Sequence, residues 1–541
     1  MPLMLGSFML TSVYGFTDSD KDGISDNVEY RLGLDPFKKN LPAQGTKENP
    51  SPECLPGTTM VDRYNFHVMN RLSFGPNAKL LREIEYHNGG DSWLIDQLEY
   101  PQVSKNDNID TAQQKLNDFI FLSNGFGNSS ALQTFATVRP LHSEHQLQVV
   151  MGRFWENHFN TEFKKHKNIN SEMLESDAFY LNAFGNFEDL LNISAKSPAM
   201  LQYLDGFKST KMKPNENYAR EVMELHTLGI NGGYIAQDIV ALSKIFTGWS
   251  IQRDQDAEKC YRYRNIKGGD GIPLKKFVFY NKRHDKNNKI FLGKIITNKG
   301  QKEGKIALRM LARHSKTATF ICQKLAKFFV SDKPTKDTIN QCRKTFIDKR
   351  DESDQIAQVL KTLFRTDEFR HTYRNKIKDT QEYILSVARL LELNATKYRG
   401  KNQLQYLGRE LFRTGQSFFD KPEPTGYAEA SSFWNNTSVA MKRLQFVNHI
   451  LLKKRKSALT RSYSLRNFFK REYGNEVTER DIIFYLLPIT TGGYYTGEDV
   501  QRAYTLLNPS NEDRLKPFRL KEKNLRNLVS WLVSRAEFNV Q

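Results

Sequence analysis

The nine residues from Glu216 to Glu224 hold three carboxylates, a carboxamide and a guanidinium within about two and a half helical turns. Advancing 100° per residue gathers Glu216, Asn217, Arg220, Glu221, Glu224 and Thr227 into one polar arc, with Tyr218, Val222 and Leu225 in an apolar arc beside it. Three further polar groups come from distant stretches: Asn157-His158, Asp205, and His284-Asp285 with Lys289. Three chemistries suit this set. Paired carboxylates in unlike surroundings support general acid–base work, as in glycoside cleavage, with Glu221, Glu224, His158, Asp205, His284 and Asp285 as the reacting groups. His158, Glu221, Glu224, His284 and Asp285 alternatively furnish nitrogen and oxygen ligands for a divalent metal, although no HExxH or Glu-x-x-His pair supports it. In the third reading Arg220 pairs with Glu216 and Glu224 at i±4, and the arc is a buried strut that fixes helix packing. Asn157, Asn217, Arg220, Trp249, Lys289 and Trp434 complete the expected pocket as binding residues.

These residues need helices to carry them. One opens after Pro214, where Asn215 or Asn217 caps free amides, and the pattern stops at Gly229. A second spans Ala236–Phe246 and ends at Thr247-Gly248-Trp249. Apolar spacing of 3.6 residues predicts others over Asn77–Tyr86, Thr111–Leu122, His142–Phe159, Ser171–Phe184, Phe187–Ala195, Lys302–Ala312, Ala318–Phe329, Lys336–Phe346, Asp354–Thr362, Thr380–Leu393 and Val439–Leu452. Arg253–Gly300 breaks the pattern, and Lys276–Tyr280 with Lys289–Leu292 read as a short hairpin. From Gly415 to Trp434 runs a loop rich in Pro and aromatics, either a polymer-binding groove or a plug over the helical core. The fold class is mainly α: a large irregular multi-helix domain with a small β-hairpin insertion and an N-terminal calcium loop.

Composition narrows the partners. Lys and Arg number 80 against 61 Asp and Glu, a formal charge of +19, which favours polyanions such as acidic polysaccharide over neutral ligands. Nucleic acid is disfavoured, because the basic runs Lys164–Lys167 and Lys453–Lys456 lack interleaved aromatics and no binding module is present. There is no P-loop, dinucleotide fingerprint or Gly-x-Ser-x-Gly elbow, so nucleotide-driven and serine-hydrolase chemistry is disfavoured too. No apolar run reaches the ~18 residues of a transmembrane span. The four cysteines show no CxxC or zinc spacing; Cys322 and Cys342 either bridge a helical hairpin or stay as buried thiols.

Asp18-Ser19-Asp20-Lys21-Asp22-Gly23-Ile24-Ser25-Asp26-Asn27-Val28-Glu29 follows the pattern D-x-D-x-D-G-x5-E. Its five carboxylates (Asp18, Asp20, Asp22, Asp26, Glu29) and the Ile24 carbonyl supply the hard oxygens that calcium takes, and Gly23 makes the sharp turn. With Ile directly after the Gly, and Tyr30 to Pro36 following, the segment is similar to bacterial thrombospondin type-3 calcium repeats, which implies a structural Ca2+ in an exported protein. The apolar run before Gly15 reads as the end of a leader.

Elsewhere the chain resembles a bacterial family. Arg71 to Pro76, Trp93 with Gln97-Leu98, Trp155-Glu156-Asn157-His158-Phe159, Asn215 to Glu221, Met223-Glu224-Leu225, Thr227-Leu228-Gly229, Thr247-Gly248-Trp249, His284-Asp285 with Lys289 and Leu292-Gly293, and Gly415-Gln416 through Trp434 are similar, in order, to the motifs of domain-of-unknown-function family 1800. The resemblance runs from about Val61 to the C-terminus and implies no reaction. The expected organisation is a leader-like segment at 1–15, a calcium repeat at 16–37, a linker at 38–60, a helical core at 61–456 with an insertion at 253–300, and a helical portion at 457–541. The leading functional reading is an exported enzyme, or enzyme partner, acting on an extracellular or envelope polymer such as acidic polysaccharide. Its alternative is a calcium-stabilised envelope or matrix scaffold that binds polyanions without catalysis. Localisation is periplasmic, cell-surface or extracellular in either case.

Crowded carboxylates repel one another without their ion, so chelation should loosen only the segment before Lys38. Titration calorimetry is expected to show calcium uptake at this loop in the native sequence and none there in Asp22→Ala; no uptake by the native sequence would remove the metal from the account.

Overall fold

The computed structural model describes residues 60–103, 129–252, 276–393, 397–398, 401–452, 464–473, 477–508 and 521–541. The calcium ligands Asp18, Asp20, Asp22, Ile24, Asp26 and Glu29, the leader-like segment, Cys54, Cys260, the helix expected over Thr111–Leu122 and the run Lys453–Lys456 lie outside the described residues.

Helices dominate the described chain, and short polar residues start many of them. Asn77 caps the Ala78–Tyr86 helix by accepting from Leu80 N. Asn186 does the same for Phe187–Lys196. Ser197 caps Pro198–Tyr203, with Pro198 at the first position, where its missing N–H costs nothing. Asp379 and Glu382 form a reciprocal capping box at the head of Thr380–Leu390. The helix of the polar arc, Glu216–Glu224, closes five residues before Gly229. Leu228 and Gly229 return their amides to Met223 O, so Thr227 leaves the arc and is buried with its hydroxyl donating to Val222 O at 2.6 Å.

Two compact units divide the chain: residues 64–463 with 533–541, and residues up to 63 with 464–532. In the larger unit the helices Gln146–His158 and Ile169–Leu181 pack together, as do Ser129–His142 with Gln403–Thr414, and Glu216–Glu224 with Ala236–Ile245. Around the Gln146–His158 helix lies an aromatic core, where Trp155 meets Phe154 at 4.9 Å and Phe187 at 5.9 Å between ring centres, and Phe187 meets Phe346 at 5.6 Å. In the smaller unit Glu522 sits at the head of the Leu465–Tyr473 helix and accepts from Leu465 N at 3.2 Å and Arg466 N at 3.0 Å, a carboxylate where the helix dipole favours one. Among the described residues no helix is long and apolar enough to cross a membrane.

The β elements differ from expectation in their partners. Strand β1, Trp249–Ile251, pairs antiparallel with β2, Phe277–Phe279, with Trp249 opposite Phe279. Strand β3, Lys289–Phe291, pairs instead with β4, Lys294–Ile296, through a two-residue turn at Leu292 and Gly293 in which both have positive φ. The two stretches read as one hairpin thus belong to two separate ribbons. Strand character is local, whereas the partner is chosen by tertiary contacts; Leu-Gly is also a weak turn signal, and Trp249-Ser250-Ile251 is too short to announce itself. Trp249 lies flat against Gly304, where a Cβ would stand 2.1 Å from the indole. Only glycine lets that helix come so close.

Cys322 and Cys342 are bonded, joining the Ser315–Phe329 and Lys336–Asp348 helices with their Cα atoms 5.7 Å apart. This settles the choice between bridge and thiols. Opening the loop, whose ends are 20 residues apart, is expected to cost about 3 kcal/mol. Chemical denaturation of a Cys322→Ala/Cys342→Ala variant measures it, and an unchanged midpoint would show that the bridge contributes nothing.

Candidate functional site

The residues singled out from sequence do not meet in one pocket; they fall into three places. The first is the outer face of Glu216–Glu224. Arg220 lies 3.8 Å from Glu216 and 3.5 Å from Glu224, and Arg220 and Glu216 are both about half exposed. This is a solvated ladder, not the buried strut of the third reading. Glu221 beside it has its carboxyl raised by burial and by the Glu224 charge. Asn217 reaches Leu204 O at 3.4 Å, and the neighbouring Asp205, in a left-handed conformation, pairs with Lys208 at 2.7 Å and Lys165 at 3.7 Å.

The second place is buried. Glu303 holds His284 Nε2 at 3.0 Å, Lys289 Nζ at 2.7 Å and the Lys299 amide at 3.0 Å. His284 Nδ1 faces Thr247 O at 2.8 Å, so both ring nitrogens have partners inside the network. The Asp285 amide donates to Thr247 Oγ1, and Lys289 also donates to Asp285 O. Trp249 packs on the same helix turn through Gly304. His284, Asp285, Lys289 and Trp249 therefore come together, but as a closed structural network with no room for substrate.

The third place is the Gln146–His158 helix. His158 is buried between His226 O and Lys324 Nζ, each 3.1 Å away, and burial with the Lys324 charge holds its ring well below the ordinary value. It is a neutral core histidine. Asn157 clamps the 415–434 loop by donating to Tyr427 O at 3.0 Å and accepting from Tyr427 N at 2.7 Å. Gly426 makes room for it, since a Cβ there would lie 2.3 Å from Asn157 O. Trp434 is buried with its indole N–H donating to Ala428 O, and Phe418 and Phe419 are buried as well. The loop is a plug, not a groove. Asn157 and Trp434 share a narrow cleft with Arg153, Lys376, Asp379 and Glu382. The metal reading fails on the same geometry, because its five ligands are distributed over all three places. Among the described residues no group of three or more His, Cys, Asp or Glu is arranged to hold a metal.

Beside the Arg153 cleft lies a group that the sequence reading quoted without weighing. Glu156 follows Arg153 by one turn, and Glu172, Glu175 and Ser176 project toward it from one face of the Ile169–Leu181 helix at i, i+3 and i+4. Burial, then the Glu172 charge, pushes Glu156 up to about 8, and Glu175 is raised for the same two reasons. Glu172 meets His166 Nε2 at 2.5 Å.

An open groove lies elsewhere in the larger unit. The helices Gln403–Thr414 and Thr437–Val447 and the π-helical turn Asn448–Leu452 enclose a groove of about 420 Å³, within the range of ligand sites. Glu410, almost wholly buried, accepts from Arg413 Nη1 at 2.7 Å. Its Oε1 also stands 3.2 Å from His449 Nδ1, and Arg413 Nη1 stands 3.1 Å from the same nitrogen. Nδ1 thus sits between an acceptor and a donor. It donates to Glu410 in one tautomer and accepts from Arg413 in the other. Lys442 adds a second cation, 3.4 Å from Thr414 O and beside Gly415. The sequence reading missed Glu410, Arg413, Lys442 and His449, which are spread over forty positions of ordinary helix; the one nearby signal was Gly415-Gln416, which ends the first wall.

A family model described as "Protein of unknown function (DUF1800)" matches residues 67–540. No curated protein and no solved structure matches the chain.

Two outcomes test these assignments. Glu303→Gln leaves the buried Lys289 ammonium short of its anion and should cost about 3–5 kcal/mol, whereas Glu224→Gln on the solvated ladder should stay within about 0.5 kcal/mol. Equal losses in chemical denaturation would overturn the distinction. The raised Glu156 carboxyl means that the native state binds more protons than the unfolded chain between about 4.5 and about 8. Its stabilisation is therefore full below that window and is lost as pH rises through it. Denaturant midpoints at pH 5 and pH 8 should differ less in Glu156→Gln than in the native sequence.

Proposed function

This chain belongs to that family, whose description assigns no activity, and we propose from its own geometry that it is an exported enzyme acting by carboxylate/His acid–base chemistry on an acidic extracellular or envelope polymer. The observation that carries the reading is the Glu410–His449 pair in the wall of an open groove with Arg413 and Lys442. His449 is the proton-transferring group and Glu410 positions it. Arg413 and Lys442 match the carboxylate or sulfate of an acidic sugar, the guanidinium as a planar fork and the ammonium as a point charge. Export is supported by the Cys322–Cys342 bond, which persists in oxidising compartments, and by the leader-like segment and calcium repeat of the sequence. The calcium ion is structural in this reading, a stiffener of the N-terminal segment. Contact with the polymer is driven by the +19 charge, so it weakens steeply as salt rises.

A second reading, the non-catalytic polyanion-binding scaffold, is favoured by the closed Glu303 network, which turns family-motif residues to architecture.

The test is a screen of the purified chain against acidic and neutral polysaccharides, reading chain shortening by chromatography. The expected result is product from an acidic polymer, with His449→Gln slowed about 10²- to 10⁴-fold at an unchanged melting temperature. A fully active His449→Gln would sink the assignment. Salt-sensitive binding with no product from any polymer would establish the scaffold instead.

A further inference from the structure

The β3–β4 ribbon carries no part of the groove, and its outward face is apolar. Ile290 and Ile295 stand opposite each other in the register, and they are 66% and 69% exposed. A third isoleucine is adjacent. Asp238 accepts from Leu292 N with one carboxylate oxygen, at 2.8 Å, and from Ile235 N with the other, at 3.0 Å. One side chain thus ties the ribbon's turn to the residue before the Ala236–Ile245 helix, and Ile235 is 60% exposed beside it. Three large apolar side chains are held out to solvent on a rigid frame, because Lys289 and Phe291, the alternate residues of β3, are buried beneath. Lys289 is moreover bonded to Glu303, so the ribbon cannot turn over without breaking a buried ion pair.

The charges around this tip share one sign. Between residues 281 and 303, Lys282, Lys286, Lys294, Lys299 and Lys302 are exposed, while both carboxylates of that stretch, Asp285 and Glu303, are buried. The one carboxylate of the packed Ala236–Ile245 helix, Asp238, is buried and taken up by the Leu292 and Ile235 amides. A polysaccharide would answer the lysines but leave three projecting isoleucines in water, and a soluble protein would have to pair an apolar patch with a rim of carboxylates. A bilayer of anionic lipid answers both at once: headgroup phosphates meet the ammonium groups, and the branched side chains enter the acyl boundary.

We propose that the β3–β4 ribbon is a membrane-docking wedge, in which Ile235, Ile290 and Ile295 insert into an anionic lipid surface held by the surrounding lysines. The attachment is peripheral and reversible, and the protein rests on the bilayer without spanning it. Each lysine within a Debye length of the surface strengthens binding roughly five-fold, so the ring of lysines supplies most of the affinity and the isoleucines supply depth.

Vesicle sedimentation decides the matter, using the full chain with phosphatidylglycerol-containing and pure phosphatidylcholine vesicles. The expected result is binding to the anionic vesicles only, reduced about ten-fold or more by Ile290→Ser/Ile295→Ser and by Lys294→Glu/Lys299→Glu. Both variants change exposed side chains, and an unchanged melting temperature would confirm that the fold is kept. Equal binding to both vesicle types, no binding to either, or variants that bind like the native sequence would each overturn the proposal. Retention on a soluble sulfated polymer without vesicle binding would assign the lysines to polymer capture and likewise end it. Polysaccharide cleavage by the same samples is read separately, so loss of docking and loss of the groove's activity are distinguishable.

Discussion

A buried charge must find its opposite, and in the larger unit that demand converges on Arg153. Its guanidinium donates to Asp379, to Glu382 at 3.1 Å and to Gln381 at 3.0 Å. Burial works against the charge, and the two carboxylates outweigh it, holding Arg153 above its ordinary value and Glu382 below its own. Glu382 also accepts from the side-chain amide of Gln541, whose carbonyl receives Arg71. One ion cluster therefore fastens the Gln146–His158 helix, the head of Thr380–Leu390, the helix that begins the described chain and its last residue. Removing any partner would strand a charge in the interior, a cost of about 3–5 kcal/mol, so these elements are fixed relative to one another.

The same rule explains the fate of the polar motif residues. A histidine, a lysine and two carboxylates near one another look like catalytic machinery in a sequence. In the fold, Glu303 joins His284 and Lys289 on the inside, and every polar atom of that group that matters has a partner already. The arc at Glu216–Glu224 is the converse case, with many charges and little burial. Solvated pairs of that kind contribute ~1 kcal/mol or less. Chemistry needs an intermediate position, in which a group is oriented by a buried neighbour and still reaches solvent. Glu410 and His449 have that arrangement.

The excess positive charge acquires a geography in the structure. Part of it lines the groove as Arg413 and Lys442, and part of it rings the isoleucines of the β3–β4 ribbon. The polymer groove and the bilayer wedge proposed above would share one setting, the cell envelope, where both kinds of surface occur together.

Local physics was sufficient for much of this. Apolar spacing of 3.6 residues located many of the helices, with Lys302–Ala312 recovered to the residue and Gln146–His158 lying within its expected span, because that period reports which face must be buried; Ser129–His142 and Gln403–Thr414 were not read from it. The mainly α class and the family followed from sequence alone as well. The candidate site did not. Glu410, Arg413, Lys442 and His449 occupy unremarkable positions on two helices and a π turn, and no periodicity marks residues that only packing brings together. Strand pairing failed for the same reason: β2 and β3 were visible as strands, but their partners were chosen by Gly304 beneath Trp249 and by the turn at Leu292-Gly293. The sequence by itself determined the elements and the total charge. Only the tertiary structure decided which charges were buried and paired and which were left facing a groove, because desolvation depends on neighbours that lie hundreds of residues away.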